Sequence, residues 1–175
     1  MKRRGTVLRV GALALAATVV VSHTAGAQEP AAPDSVSARF VLDELRKDGF
    51  IAKLDADSNG DPRISLKVDG YDWSIYFYAC APGDNETRPC VSYQFYSGYT
   101  SARAVPLATI NKWNTEKRYA RAYNYVQRDG KTSARIEIDV LAEGTSANRA
   151  ETFRAFFQKM KEATQDFRKM IDFRG

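Results

Sequence analysis

Apolar and polar positions along this chain recur with two periods, and each change of period marks an element. From Tyr71 to Cys80, and again from Cys90 to Tyr99, large residues fall at every second position. Between the two runs lies Pro82-Gly83-Asp84-Asn85, a turn-rich loop, so the stretch predicts a β-hairpin. Setting Cys80 opposite Cys90 fixes a register: Ala79 faces Val91, Phe77 faces Tyr93, and Ile75 faces Phe95. One face is then apolar throughout, while the other carries Ser74, Tyr76, Tyr78, Ser92, Gln94 and Tyr96. A cysteine pair and a hydrophobic alternation that agree on one register support each other.

Upstream, Val36, Phe40, Val41 and Leu45 form the stripe of a helix capped by Asp34 or Ser35 and stopped by Gly49. Residues 50–54 read as a strand, 58–62 as a turn, and Ile64, Leu66 and Val68 alternate in a second strand. Gly70 turns the chain into the hairpin. Downstream, Pro106 opens a short helix through Leu107, Ile110 and Trp113. Residues 118–126 and 132–141 predict strands around Asp129-Gly130, and Gly144 ends that hairpin. Thr145 or Ser146 caps a last helix whose stripe is Ala150, Phe153, Phe156, Phe157, Met160, Ala163, Phe167, Met170 and Ile171. The order α-β-β-β-β-α-β-β-α describes an α+β fold, a single antiparallel sheet of about six strands with helices packed on one face.

The hairpin over 118–141 has two registers open to it. A two-residue turn places Tyr119, Tyr123 and Tyr125 on the face of Ile136 and Ile138. A three-residue loop places Ala120, Ala122 and Val126 there instead, and pairs Arg121 with Asp139 and Tyr125 with Arg135. The first leaves Arg121 among apolar groups, a costly position without a partner, so the balance tips to the second.

The N-terminus changes the reading of charge. Lys2, Arg3, Arg4 and Arg9 surround the start of an uncharged apolar run from Val10 to Val21, and Ala25-Gly26-Ala27 follows. This is the pattern of a Sec-type signal peptide over residues 1–27, cut between Ala27 and Gln28, with the product periplasmic or secreted. The apolar run is shorter than the ~20 residues that span a bilayer, so no membrane insertion is expected once the leader is removed. The formal charge of +5 falls to +1, because four cations leave and 22 Lys and Arg then face 21 Asp and Glu. Such a balance gives no basic footprint for nucleic acid. Residues 28–34 form a Pro/Ala linker, and 35–175 form one domain. In an oxidising compartment Cys80 and Cys90 are expected to form a disulfide, worth up to ~3 kcal/mol for so short a loop.

Along the chain stand Asp61-Pro62-x-Ile64, Gly70-Tyr71, the cysteine hairpin, Ile110-Asn111-Lys112-Trp113-Asn114, Arg118-Tyr119-Ala120-Arg121-Ala122, Asp129-Gly130, Ile138-Asp139-Val140 and Glu143-Gly144. In this order they resemble the YbjN-type family, described as bacterial sensory transduction regulators, over nearly all of residues 35–170. The resemblance implies a fold similar to type III secretion chaperones and no known catalytic activity. It singles out Asn111, Trp113, Asn114 and Arg118. These form either a polar recognition spot or a structural joint, with Trp113 packed under the sheet and the Asn side chains capping the helix end.

Other candidate chemistry is sparse. Asp55, Asp57, Asn59 and Asp61 match the first half of an EF-hand loop, but Leu66 holds the twelfth position, where a bidentate Glu is needed. The same residues suit a plain turn. The only histidine, His23, leaves with the leader, which removes His-dependent triads and His-ligated zinc. Glu137 and Asp139 share one strand face and read as surface charge. No catalytic residue, metal or cofactor is therefore assigned. Tyr76, Tyr78 and Tyr96 on one hairpin face suit protein binding, unless a helix covers them. The expectation is a non-catalytic, chaperone-like or regulatory module with an unidentified protein partner or a second copy of itself. A small-ligand binder or carboxylate-dependent hydrolase is the alternative.

Overall fold

The computed structural model describes residues 34–101, 103–142 and 147–173. The leader, the Ala27–Gln28 cleavage site, the linker up to residue 33, and Gly144, Thr145 and Ser146 lie outside the described residues. The elements are α1 (Ala38–Lys47), β1 (Ala52–Ala56), β2 (Pro62–Val68), β3 (Tyr71–Cys80), β4 (Cys90–Ser101), α2 (Leu107–Glu116), β5 (Arg121–Val126), β6 (Thr132–Leu141) and α3 (Arg149–Met170). The strands form one open antiparallel sheet in the order β1-β2-β3-β4-β6-β5, so the element order is the expected one.

Strand pairing carries apolar rows straight across the sheet. Ile64 pairs with Ile75, Ile75 with Phe95, and Phe95 with Ile138, all fully buried or nearly so. The stripe of α3 lies on these rows. Phe153 packs 5.7 Å from Phe95, and Phe157 packs 5.6 Å from Trp73. Phe40 of α1 meets Phe153 edge-on, and Trp113 of α2 meets Phe167 at 5.0 Å. Each buried ring contributes about 1.5–3 kcal/mol relative to exposure. All three helices thus cover the same face of the sheet, because the odd-numbered large residues of β3 and β4 point there.

The central hairpin has the anticipated register, with Phe77 opposite Tyr93, Ile75 opposite Phe95 and Cys80 opposite Cys90. The cysteines are joined by a disulfide. The apolar face stops short of Ala79 and Val91, however, and both are exposed. Ala79 has φ 51°, a left-handed conformation that breaks the alternation at the end of β3. Cys90 is buried in place of Val91 and exchanges backbone hydrogen bonds with Val36.

That bridge also corrects the first helix. Val36 belongs to an extended segment, and the cap is Ser37, whose hydroxyl accepts from the Phe40 N–H. The first strand begins at Ala52, not residue 50, and the fifth at Arg121, not residue 118. Leu107 is 70% exposed, leaving Ile110 and Trp113 as the buried face of α2. The last helix begins after Asn148, later than Thr145 or Ser146 would place it.

In the last hairpin a three-residue loop, 128–130, puts Ala120 and Ala122 on the face of Ile136 and Ile138. The pairing is offset by two positions from the anticipated one. Arg121 sits opposite Glu137, Tyr125 opposite Ser133, and Val126 opposite Thr132, where it is 65% exposed. A two-residue offset keeps every side chain on its face and changes its partner.

Candidate functional site: the uncovered sheet face

The face turned away from the helices carries a connected polar and aromatic surface, and no helix packs on it among the described residues. Tyr76 and Tyr96, from adjacent strands, meet edge to face at 5.7 Å. Tyr78, 39% exposed, donates its hydroxyl hydrogen bond to Gln94 Oε1 at 3.2 Å. Gln94 Nε2 donates in turn to Asp139 Oδ1 at 2.8 Å. Arg121 links both carboxylates of β6, its Nη2 lying 3.3 Å from Asp139 Oδ2 while its Nε donates to Glu137. The second Glu137 oxygen accepts from the Tyr123 hydroxyl at 3.0 Å. The network crosses β3, β4, β6 and β5.

The electrostatics keep the phenols protonated. Burial, reinforced by the Asp139 and Glu137 charges, pushes the Tyr78 hydroxyl up to about 12. Burial likewise raises Tyr96 to about 12, partly offset by the Arg135 charge. Tyr123 is raised by burial and then by Glu137. The hydrogen bond to Glu137 is the main reason Arg121 holds its proton more tightly than usual. The Tyr78 and Tyr123 protons are already donated within the face, so these tyrosines offer a partner chiefly flat ring surface, which suits recognition.

Asn111, Trp113, Asn114 and Arg118 lie elsewhere, where α2 meets the edge strand β5. Trp113 is fully buried and its Nε1 donates to the Ala120 carbonyl at 2.9 Å. Asn114 does not cap the helix end. Its Oδ1 accepts from the Ala122 N–H at 2.8 Å, and its Nδ2 donates to the Ala122 carbonyl at 3.0 Å. The side-chain amide acts as one unit of a neighbouring strand and closes part of the sheet edge. Asn111 is exposed, and the Arg118 guanidinium lies 5.7 Å from the Tyr119 ring centroid.

The EF-hand-like residues are used locally. Asp57 Oδ1 accepts from the Asn59 and Asp61 N–H groups, Asp61 pairs with Arg88 at 2.9 Å, and Asp55 pairs with Lys53 at 3.0 Å. Among the described residues no group of three or more His, Cys, Asp or Glu side chains is placed to hold a metal ion.

Several members of the open face escaped the sequence reading as site residues: Tyr123, Tyr125, Arg135 and Gly98. The signal that could have found them is parity, since once Ile136 and Ile138 face inward, Arg135, Glu137 and Asp139 must face outward. A glycine inside a strand is itself a mark of close approach.

The family described as "Putative bacterial sensory transduction regulator", YbjN, matches residues 41–173. Among curated proteins, none matches this chain. A crystal structure described as YbjN, "a putative transcription regulator from E. coli", is similar in fold, with TM-score 0.51 and 17% identity over 76% of this chain and 87% of that one. An uncharacterised protein from Methanothermobacter thermautotrophicus has TM-score 0.45 and 10% identity over 78% of this chain and 99% of that one. With the family match spanning both hairpins and all but the first turn of α1, this chain belongs to the YbjN family.

Proposed function

We propose that this YbjN-family chain is an exported, non-catalytic module that binds a protein partner, in a chaperone-like or regulatory role, through the uncovered face of its sheet. The observation that carries the reading is the one-sided placement of the helices, which leaves Tyr76, Tyr78 and Tyr96 uncovered among the described residues. Rings with few rotatable bonds supply contact area at low entropic cost. The leader pattern over residues 1–27 and the Cys80–Cys90 disulfide support an oxidising compartment outside the cytoplasm. The family description, a regulator, is in keeping with binding rather than turnover.

A carboxylate-dependent hydrolase has less support. Glu137 and Asp139 both point at Arg121, and among the described residues the carboxyl groups whose proton affinity is displaced, such as Glu44, Asp55 and Asp166, are all lowered. A general acid needs the opposite shift.

The test is crosslinking of the tagged mature protein in its export compartment, with partners identified by mass spectrometry. A reproducible partner that is lost on Tyr76→Ser/Tyr78→Ser is the expected result. No partner, or one indifferent to the double substitution, overturns the reading. Sequencing the N-terminus of the exported protein checks the leader, and Gln28 is the expected first residue.

A further inference from the structure

Gly98 occupies the middle of β4, paired with Arg135 of β6, where any other residue would raise a side chain. A Cβ there would lie 2.9 Å from the Tyr96 hydroxyl, so the missing side chain lets the Tyr96 ring lie along its own strand. The outcome is an open groove of about 420 Å³, bordered by Tyr96, Gly98, Thr100, Tyr125, Ser133 and Arg135.

Arg135 supplies the charge of this groove. Its guanidinium lies 3.3 Å from the Tyr125 ring centroid and 5.5 Å from that of Tyr96. Its Nε donates to Ser133 Oγ at 3.3 Å, and the Tyr123 phenol lies beside it. The nearest carboxylates on its own strand, Glu137 and Asp139, are both engaged by Arg121. Asp72, at the end of the groove, pairs with Lys67 at 2.7 Å. Arg128 adds a second cation to the rim. With Nε given to Ser133, a guanidinium stacked on a ring still has in-plane Nη–H groups for a planar anion, and carboxylate is the match for that fork.

We propose that the groove over Gly98 binds a carboxylate side chain from an acidic segment of a partner polypeptide, with Arg135 as the residue that reads it. This rests on the reading of the sheet face as a protein-binding surface and names the chemistry of the partner. The groove is open to solvent, so it cannot enclose a small molecule as a ligand pocket does. It can accept one side chain of a segment lying across the strands, with the exposed Thr100 beside the backbone and tyrosine rings beneath.

The experiment is an NMR titration of the disulfide-intact mature chain with a blocked peptide carrying two aspartates and one phenylalanine between glycines. Its asparagine counterpart serves as the comparison. The aspartate peptide is expected to shift the Gly98 and Arg135 amide resonances, and added salt should weaken it. The asparagine peptide and the Arg135→Gln variant should each bind about tenfold more weakly or worse, since a charge-assisted pair is lost. Arg135→Lys keeps the charge without the fork and should fall between. Gly98→Ala, which displaces Tyr96 and leaves Arg135 in place, should also weaken binding and supplies an independent variant. Equal affinity for the two peptides overturns the proposal, as does full binding by Arg135→Gln. Failure of the aspartate peptide to bind the unaltered chain overturns it too, and leaves the broader binding reading to the crosslinking experiment.

Discussion

Replacing Asn114 by Ala asks what the Asn-x-Trp-Asn helix is for. Its amide makes two hydrogen bonds, at 2.8 and 3.0 Å, to the N–H and the carbonyl of Ala122. Each such bond contributes about 0.5–1.5 kcal/mol net, and a buried group left without a partner costs about 1–3 kcal/mol. Ala122 is only 4% exposed, so water does not fully replace the lost partner. The sum is a destabilisation of about 2–3 kcal/mol. In a domain of this size that lowers Tm by about 5–10 °C. Urea unfolding followed by circular dichroism should show a lower midpoint with an unchanged m value, the sign of a stability change alone. Hydrogen exchange should show the Ala122 amide losing protection beyond the global loss, because on this edge strand Asn114 is the acceptor for that N–H. Asn114→Asp keeps the acceptor for the N–H but sets an anion against the carbonyl, and should recover no more than part of the loss. A loss below about 0.5 kcal/mol, within the range of an ordinary surface substitution, would refute the joint reading. Unaltered exchange at Ala122 would refute it equally.

Three further outcomes are expected. Replacing both Cys80 and Cys90 by Ser should cost about 3 kcal/mol in urea unfolding, given the ten-residue separation, and reductant should reproduce the effect on the native chain. Arg121→Met leaves Glu137, 4% exposed, with Tyr123 as its remaining partner; because the guanidinium is 62% exposed and screened, the expected loss is about 1–2 kcal/mol, and no measurable loss would show that the pair contributes only specificity. Glu44 is held below its ordinary 4.5 chiefly by the Lys47 hydrogen bond, with Arg154 adding to it against the cost of burial. A lowered native value contributes stability that is full above pH 4.5 and lost as pH falls through it, so Glu44→Gln should flatten the acid limb of the stability–pH curve and leave its slope at neutral pH unchanged.

Much of the fold was legible because its signals are local. The α3 stripe, the Gly70 and Asp129-Gly130 turns and the register of the cysteine hairpin each follow from spacing within a few residues. The misreadings have equally specific causes. Val36 has the right spacing for the α1 stripe, yet Cys90, more than fifty positions on, takes both of its backbone bonds. Ala79 carries no sequence sign of its left-handed backbone, since alanine is a poor occupant of that conformation. Asn114 looks like a helix-end cap until β5 is brought beside it. On the open face, the tyrosines of β3 and β4 could be assigned from alternation, whereas Arg135 could not be singled out from Arg121.

The sequence by itself determined which residues share a face, because alternation is a property of one strand and the cysteine pair agrees with it. It also determined which helix stripes are apolar enough to cover that face. The tertiary structure alone decided which side the helices leave open and which charges meet. A strand can slip by two positions with every side chain still on its own face, so the hydrophobic pattern does not choose among such offsets. That choice is made by packing between distant segments. Here it places Arg121 between Glu137 and Asp139, and it leaves Arg135 stacked on Tyr125 over the bare backbone of Gly98.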